Sequence, residues 1–150
     1  MMDKTNFKKG LGCVLKSAGF ASKSGSWYLS GRDSIVVLNL QKSDFDEKFY
    51  LNFGVWLKSL GAVEFPAENK CHIQARLTSL FPGHAEAIDR ACMAGGSKED
   101  SATFAEFLES EFVPFCNDCL RIEGLRSKLE ADVFKRALIM KTAKDALTQV

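Results

Sequence analysis

Two runs of the chain, residues 35–41 and 49–57, alternate side chains with the period of a β-strand, and seven mostly charged or small residues separate them. Successive side chains of a strand point to opposite faces. In the first run Val36, Leu38 and Leu40 share one side, and Ile35, Val37, Asn39 and Gln41 share the other. In the second, Phe49, Leu51, Phe53, Val55 and Leu57 form a uniformly apolar face backed by Tyr50, Asn52, Gly54 and Trp56. An antiparallel hairpin is the economical connection. It sets the aliphatic faces against a core and leaves Asn39, Gln41, Tyr50, Asn52 and Trp56 on the far, partly wet side.

Upstream, Phe7, Leu11, Val14, Leu15 and Ala18 recur at helical spacing, with Gly19 where a C-terminal cap stands. Gly10 and Gly12 each weaken this helix by roughly 1 kcal/mol relative to Ala, or else permit close approach to the sheet. Residues 23–25 read as a turn, 27–30 as a short strand, and Gly31-Arg32-Asp33 as a tight turn into the hairpin. Downstream, residues 71–77 fit a strand through Ile73, Ala75 and Leu77, and a helix through Ile73, Leu77, Leu80 and Phe81. A fourth strand turning into a helical turn before Pro82-Gly83 satisfies both. A short helix over 84–93 closes at Gly95-Gly96. A second starts near Ser97 and carries Phe104, Phe107, Leu108, Phe112 and Phe115, with Pro114 expected to kink or interrupt it. Ser127 and Glu130 have the spacing of a capping box, which predicts a last helix burying Leu129, Val133, Phe134, Ala137 and Leu138.

The expected architecture is therefore α+β: an N-terminal helix, an antiparallel meander of about four strands, and C-terminal helices covering one sheet face. With 150 residues, 46% of them hydrophobic, and no repeat or low-complexity linker, residues 1–150 read as a single globular domain. Twelve Phe against two Tyr and two Trp point to an interior packed on aromatic rings.

Charge narrows the function classes. Twenty basic and 19 acidic residues leave a net +1, which supplies no field for gathering nucleic acid or an acidic membrane surface. No stretch approaches the roughly 18 apolar residues of a membrane span. The first ten residues carry charges where a signal peptide needs its apolar segment. Five Cys without a secreted-scaffold spacing fit reduced thiols in a cytosol, so a cytoplasmic location is expected.

Ala18-Gly19-Phe20, Trp27-Tyr28, Leu40-Gln41-Lys42-Ser43, the run from Tyr50 to Val55, and Cys71-His72-Ile73 with Arg76-Leu77 follow one another in an order and spacing that resembles a known family. It is the group of bacterial proteins called domain of unknown function DUF4304. The likeness covers roughly the first half of the chain. It implies a small α+β bacterial domain and brings with it no activity, substrate or functional residues.

Candidate chemistry is sparse. Asn39, Gln41 and Asn52 share one sheet face, and His72 and Arg76 stay in phase with each other whether their segment is strand or helix. Those five residues form the candidate ligand site, or else a polar network that ties sheet to helices. An uncharged amide floor beside one guanidinium suits an anionic or polar ligand. Cys116 and Cys119 form a CxxC without the strand-then-helix setting of a redox motif, and are read as a reduced structural pair with neither zinc nor disulfide. Asp44, Asp46 and Glu47 do not match a calcium loop and read as a solvated hairpin tip. There is no phosphate-binding glycine motif and no nucleophile motif beside His72 or His84. No catalytic residue, metal ligand or cofactor is assigned. The expected function is a non-catalytic cytosolic binding module recognising a protein partner. The alternative is a small enzyme or small-molecule-binding protein that uses the His72 and Arg76 side of the sheet.

Overall fold

Nine register pairs join the two alternating runs, from Ser34 opposite Leu57 to Lys42 opposite Phe49. The strands are therefore antiparallel, with Val36, Leu38, Leu51, Phe53 and Val55 on one buried face. In the computed structural model, which describes residues 4–45, 47–93 and 97–148, they are the centre of a six-stranded antiparallel sheet. Its strands lie in chain order: β1 (Ala21–Lys23), β2 (Ser26–Ser30), β3 (Ser34–Lys42), β4 (Phe49–Leu57), β5 (Ile73–Arg76) and β6 (Leu138–Ile139). The meander is two strands longer than the alternation suggests, because β1 and β6 are too short to show a period. β1 joins β2 through Ser24 and Gly25, whose φ angles of 52° and 82° give the double left-handed turn that matches strand twist.

Helices cover the apolar face. The first, α1 (Lys4–Ser17), ends as its glycine suggests: Gly19 sits at φ 97°, its N–H bonds to the Lys16 carbonyl at 3.0 Å, and the Phe20 N–H bonds to the Leu15 carbonyl at 3.0 Å. This double bond is a Schellman motif, and it drops Phe20 beside Leu15 in the core. A Cβ on Gly12 would stand 3.4 Å from the Trp27 indole nitrogen, so this glycine does permit the helix to lie close on the sheet, whereas Gly10 faces open space.

After β5 come α2 (Leu77–Leu80), a 3-10 turn Pro82–His84, and α3 (Ala85–Cys92). The closure expected at Gly95-Gly96 lies outside the described residues. Next is α4 (Lys98–Phe107), started by Ser97, whose hydroxyl accepts the Asp100 N–H while Asp100 accepts the Ser97 N–H. The interruption expected at Pro114 takes the form of a π-helical turn, Leu108–Phe112, closed by the Val113 N–H on the Leu108 carbonyl, after which Pro114, which has no N–H to donate, stands in the first turn of α5 (Val113–Asp118). Phe104, Phe107, Phe112 and Phe115 all point into the core, Phe112 and Phe115 meeting Phe53 edge-on at centroid distances of 6.3 and 5.7 Å.

The C-terminal end departs from expectation. The helix there, α6, runs Ile122–Glu130, so Ser127 lies inside it and caps nothing: its carbonyl accepts the Ala131 N–H. Its start is capped instead by Asp33, whose carboxylate accepts the Ile122 N–H at 2.9 Å from the turn before β3. Its end is a second Schellman motif, with Asp132 at φ 60°, the Asp132 N–H on the Leu129 carbonyl and the Val133 N–H on the Lys128 carbonyl. Phe134 is then buried from a turn, Leu138 is in β6 and largely exposed, and α7 (Lys141–Thr148) closes the chain's described part. One apolar cluster runs from Phe7 in α1 to Leu147 in α7. No helix among the described residues is long and apolar enough to cross a membrane.

Candidate functional site

The register places side chains of the second sheet face in rows. Ser26, Asn39, Asn52 and Arg76 are mutual neighbours across β2, β3, β4 and β5. Gln41 and Tyr50 form the next row toward the hairpin tip. In the other direction lie Tyr28, Val37, Gly54 and Gln74, and beyond them Ser30, Ile35 and Trp56. Residues 58–72 cross these last rows, where Tyr28, Val37 and Ile35 are buried and Trp56 partly so, while Ser30 stays exposed. A Cβ on Gly54 would stand 2.9 Å from the Cys71 sulfur, so only glycine lets the crossing segment settle there. Trp56 donates its indole N–H to the Gly61 carbonyl at 2.9 Å, and Phe65 meets Tyr28 edge-on at 5.2 Å. Tyr28, Ile35, Val37, Trp56 and Cys71 thus form a small second core. The amide end of the face stays open.

That open end is a polar groove of about 650 Å³. Its floor is Ser26, Asn39, Gln41 and Asn52, and its walls include Lys23 on β1 and Phe65, Glu68 and Asn69 on the crossing segment. The amides are linked. Asn52 donates to Gln41 at 2.9 Å and to Asn39 at 3.4 Å, and Asn39 donates to the Ser26 hydroxyl at 2.9 Å. A second cavity, of about 770 Å³, lies on the other side of Tyr28 and Phe65, which line both. Burial raises the Glu68 carboxyl above its ordinary range, an effect that Arg76 opposes through space. The Lys23 ammonium sits 4.3 Å from the centre of the Phe65 ring.

Of the five residues anticipated, the three amides come together on the groove floor. Arg76 continues their row at the rim: it is exposed, 4.1 Å above the Tyr50 ring, and turned toward a smaller cavity of about 270 Å³ that it shares with Lys48 and Asp89. His72 does not belong to the group. It shares the face but lies beside Trp56, two rows away, with ring centroids 4.3 Å apart. Its Nδ1 accepts the Leu57 N–H at 2.9 Å. Strand phase places His72 and Arg76 on one side and says nothing of the distance along it. The contributions missed were Lys23, Ser26, Glu68 and the aromatic pair Tyr28 and Phe65. Ser26 was legible in principle, since a two-residue turn at Ser24-Gly25 would have started β2 one residue earlier.

The buried His72 ring works neutral. Desolvation lowers its pKa from 6.5, so at this group the folded state binds fewer protons than the unfolded chain, and its contribution to stability is complete above about pH 6.5 and is lost as pH falls through the depressed value. The melting temperature should decline below pH 6.5, and His72→Asn, whose side-chain oxygen can replace Nδ1 as acceptor, should flatten that decline. An unchanged slope in the variant would assign the titration to another group.

The remaining candidates lie apart from the groove. Cys116, in α5, and Cys119, just past its end, are buried free thiols in the core. Burial pushes Cys119 to about 12 and Cys116 well above the ordinary thiol range, opposite to the depression that makes a reactive thiolate. His84 packs on Phe107 at 4.9 Å. Asp46 lies outside the described residues. Among the described residues no group of three His, Cys, Asp or Glu side chains is placed to hold a metal ion.

The architecture defines an α+β domain with helices on one sheet face and, on the other, a crossing segment that leaves an amide-floored groove open. The chain belongs to the family described as domain of unknown function DUF4304, whose family model matches residues 11–108. The matched part includes every residue named in the groove and Arg76. No curated protein and no solved structure matches the chain.

Proposed function

We propose that this chain is a non-catalytic binding domain whose groove receives an extended, polar segment of a protein partner. The observation that carries the reading is the floor itself. Ser26, Asn39, Gln41 and Asn52 bring hydroxyl and amide donors and acceptors to one concave surface without a formal charge. Each side-chain amide has capacity beyond the bonds it makes to its neighbours, and peptide groups offer the complementary set. Lys23 on one wall and Glu68 on another supply opposite charges at the margin. The location that suits this role is the cytoplasm, where five cysteines remain reduced.

The direct test is selection from a random peptide library on the purified protein. Selected peptides should lose at least about tenfold in affinity on Asn52→Ala, which removes two amide bonds from the floor and leaves the groove's own polar groups short of partners. Peptides whose binding ignores both Asn52→Ala and Gln41→Ala would overturn the assignment of the groove. A second reading, a small-molecule or enzymatic site in the same groove, is favoured by Glu68, whose half-buried carboxyl has a raised pKa. Thermal stabilisation by carboxylate, phosphate or nucleotide compounds, removed by Glu68→Gln, would select that reading.

A further inference from the structure

We propose that Arg76 anchors a carboxylate of the bound segment, so that the partner presents an acidic side chain or chain terminus directly beside uncharged polar residues. This rests on the groove reading above and adds the charge of its ligand. The register makes Arg76 the next neighbour of Asn52, at the end of the row that begins with Ser26 and Asn39. Its guanidinium carbon lies 4.1 Å above the Tyr50 ring, a contact that holds the group by its face and leaves the N–H donors around its edge for a planar acceptor. Among the described residues Arg76 enters no ion pair. The other cation near that ring, Lys48, is 5.3 Å from its centre and is already neutralised by Asp89 at 3.2 Å.

Charge matching then decides between the two common anions. Among the described residues Arg76 is the one unpaired cation at its end of the row, Lys23 standing at the other end across β2, β3 and β4, and the Glu68 carboxyl is near enough to feel Arg76. A carboxylate brings one negative charge to that guanidinium and can meet it through two parallel hydrogen bonds. A phosphate brings close to two charges at neutral pH, and the excess would face Glu68 and Asp89.

The test uses isotope-labelled protein titrated with three acetylated, amidated tetrapeptides: Gln-Asn-Gln-Glu, Gln-Asn-Gln-Gln and Gln-Asn-Gln-phosphoserine. The Glu peptide should shift the side-chain amide signals of Asn39, Gln41 and Asn52 together with the Arg76 Nε–H signal. It should bind about fivefold more tightly than its Gln twin, the scale of a partly exposed charged pair. Arg76→Gln should erase that difference. High salt should erase it in the parent protein, which keeps the test valid if the variant fails to fold. Equal binding of the Glu and Gln peptides, with groove amides still shifting, would overturn the anchor and leave the groove reading standing. Tighter binding of the phosphoserine peptide would replace carboxylate by phosphate. Groove amides that respond to none of the three would overturn both readings.

Discussion

Replacing Phe53 with Ala is expected to cost about 3–5 kcal/mol, from lost transfer energy and the cavity left behind. Phe53 lies in the middle of β4, fully buried. Leu38 and Ala75 stand beside it on the two adjacent strands. Phe112 and Phe115 meet its ring edge-on from the π-turn and α5. The cavity would therefore open where sheet and helical layer join, between a paired strand and two rings fixed by other contacts, and neither side can collapse without breaking something else. Denaturant unfolding of the two proteins measures the difference. Phe45→Ala is the control: that ring, at the hairpin tip, is 95% exposed, and its loss should stay within about 0.5 kcal/mol. A Phe53→Ala protein as stable as the parent would mean that the packed face of the sheet is the other one.

The face assignment behind that prediction was readable chiefly from β4, whose Phe49, Leu51, Phe53, Val55 and Leu57 make one apolar face, with Asn39 and Gln41 marking the opposite face of β3. The three-residue β1 and two-residue β6 are too short to show such a face. The final helix was misplaced for a different reason. Leu129, Val133, Phe134 and Ala137 do follow helical spacing, and Asp132 is not the glycine that usually occupies a left-handed C-terminal position. Asp tolerates that conformation, and two backbone bonds close the motif there. The cap that starts α6 comes from Asp33, 89 positions earlier, and no local pattern can announce a cap supplied from so far away.

The candidate site divides along the same line. Alternation alone brought Asn39, Gln41 and Asn52 to one face, and the structure joins them by hydrogen bonds. It could not say which part of that face would be covered. That depends on where residues 58–72 cross, and the crossing is settled by glycines acting through space: Gly54 beneath Cys71 and Gly61 against Trp56. Burial by that segment turned His72 from a site candidate into an acceptor for the Leu57 N–H, and it added Phe65, Glu68 and Asn69 as a wall.

The strongest test of such close approaches is Gly124. Gly124 is the third residue of α6, and within a helix a Gly→Ala change ordinarily stabilises by up to about 1 kcal/mol, since Ala is the better helix former. Here the sign should reverse. A Cβ on Gly124 would lie 1.9 Å from the Asp118 carbonyl oxygen and 2.8 Å from its carbon, both backbone atoms at the end of α5. No rotamer change relieves that, so α6 must move away from α5. The shift would strain the bond from the Ile122 N–H to Asp33 and the packing of fully buried Leu125. It would also disturb Lys128, which pairs with Asp118 at 3.5 Å and lies 4.5 Å over the Phe115 ring. Overpacking of this kind costs about 3 kcal/mol, net of the propensity gain. Gly10→Ala supplies the contrast in the same experiment. In α1 a Cβ at that position meets nothing within 4 Å, so the propensity gain of up to about 1 kcal/mol should appear undiminished. Equal stabilisation by both substitutions would mean that α5 and α6 do not meet at Gly124.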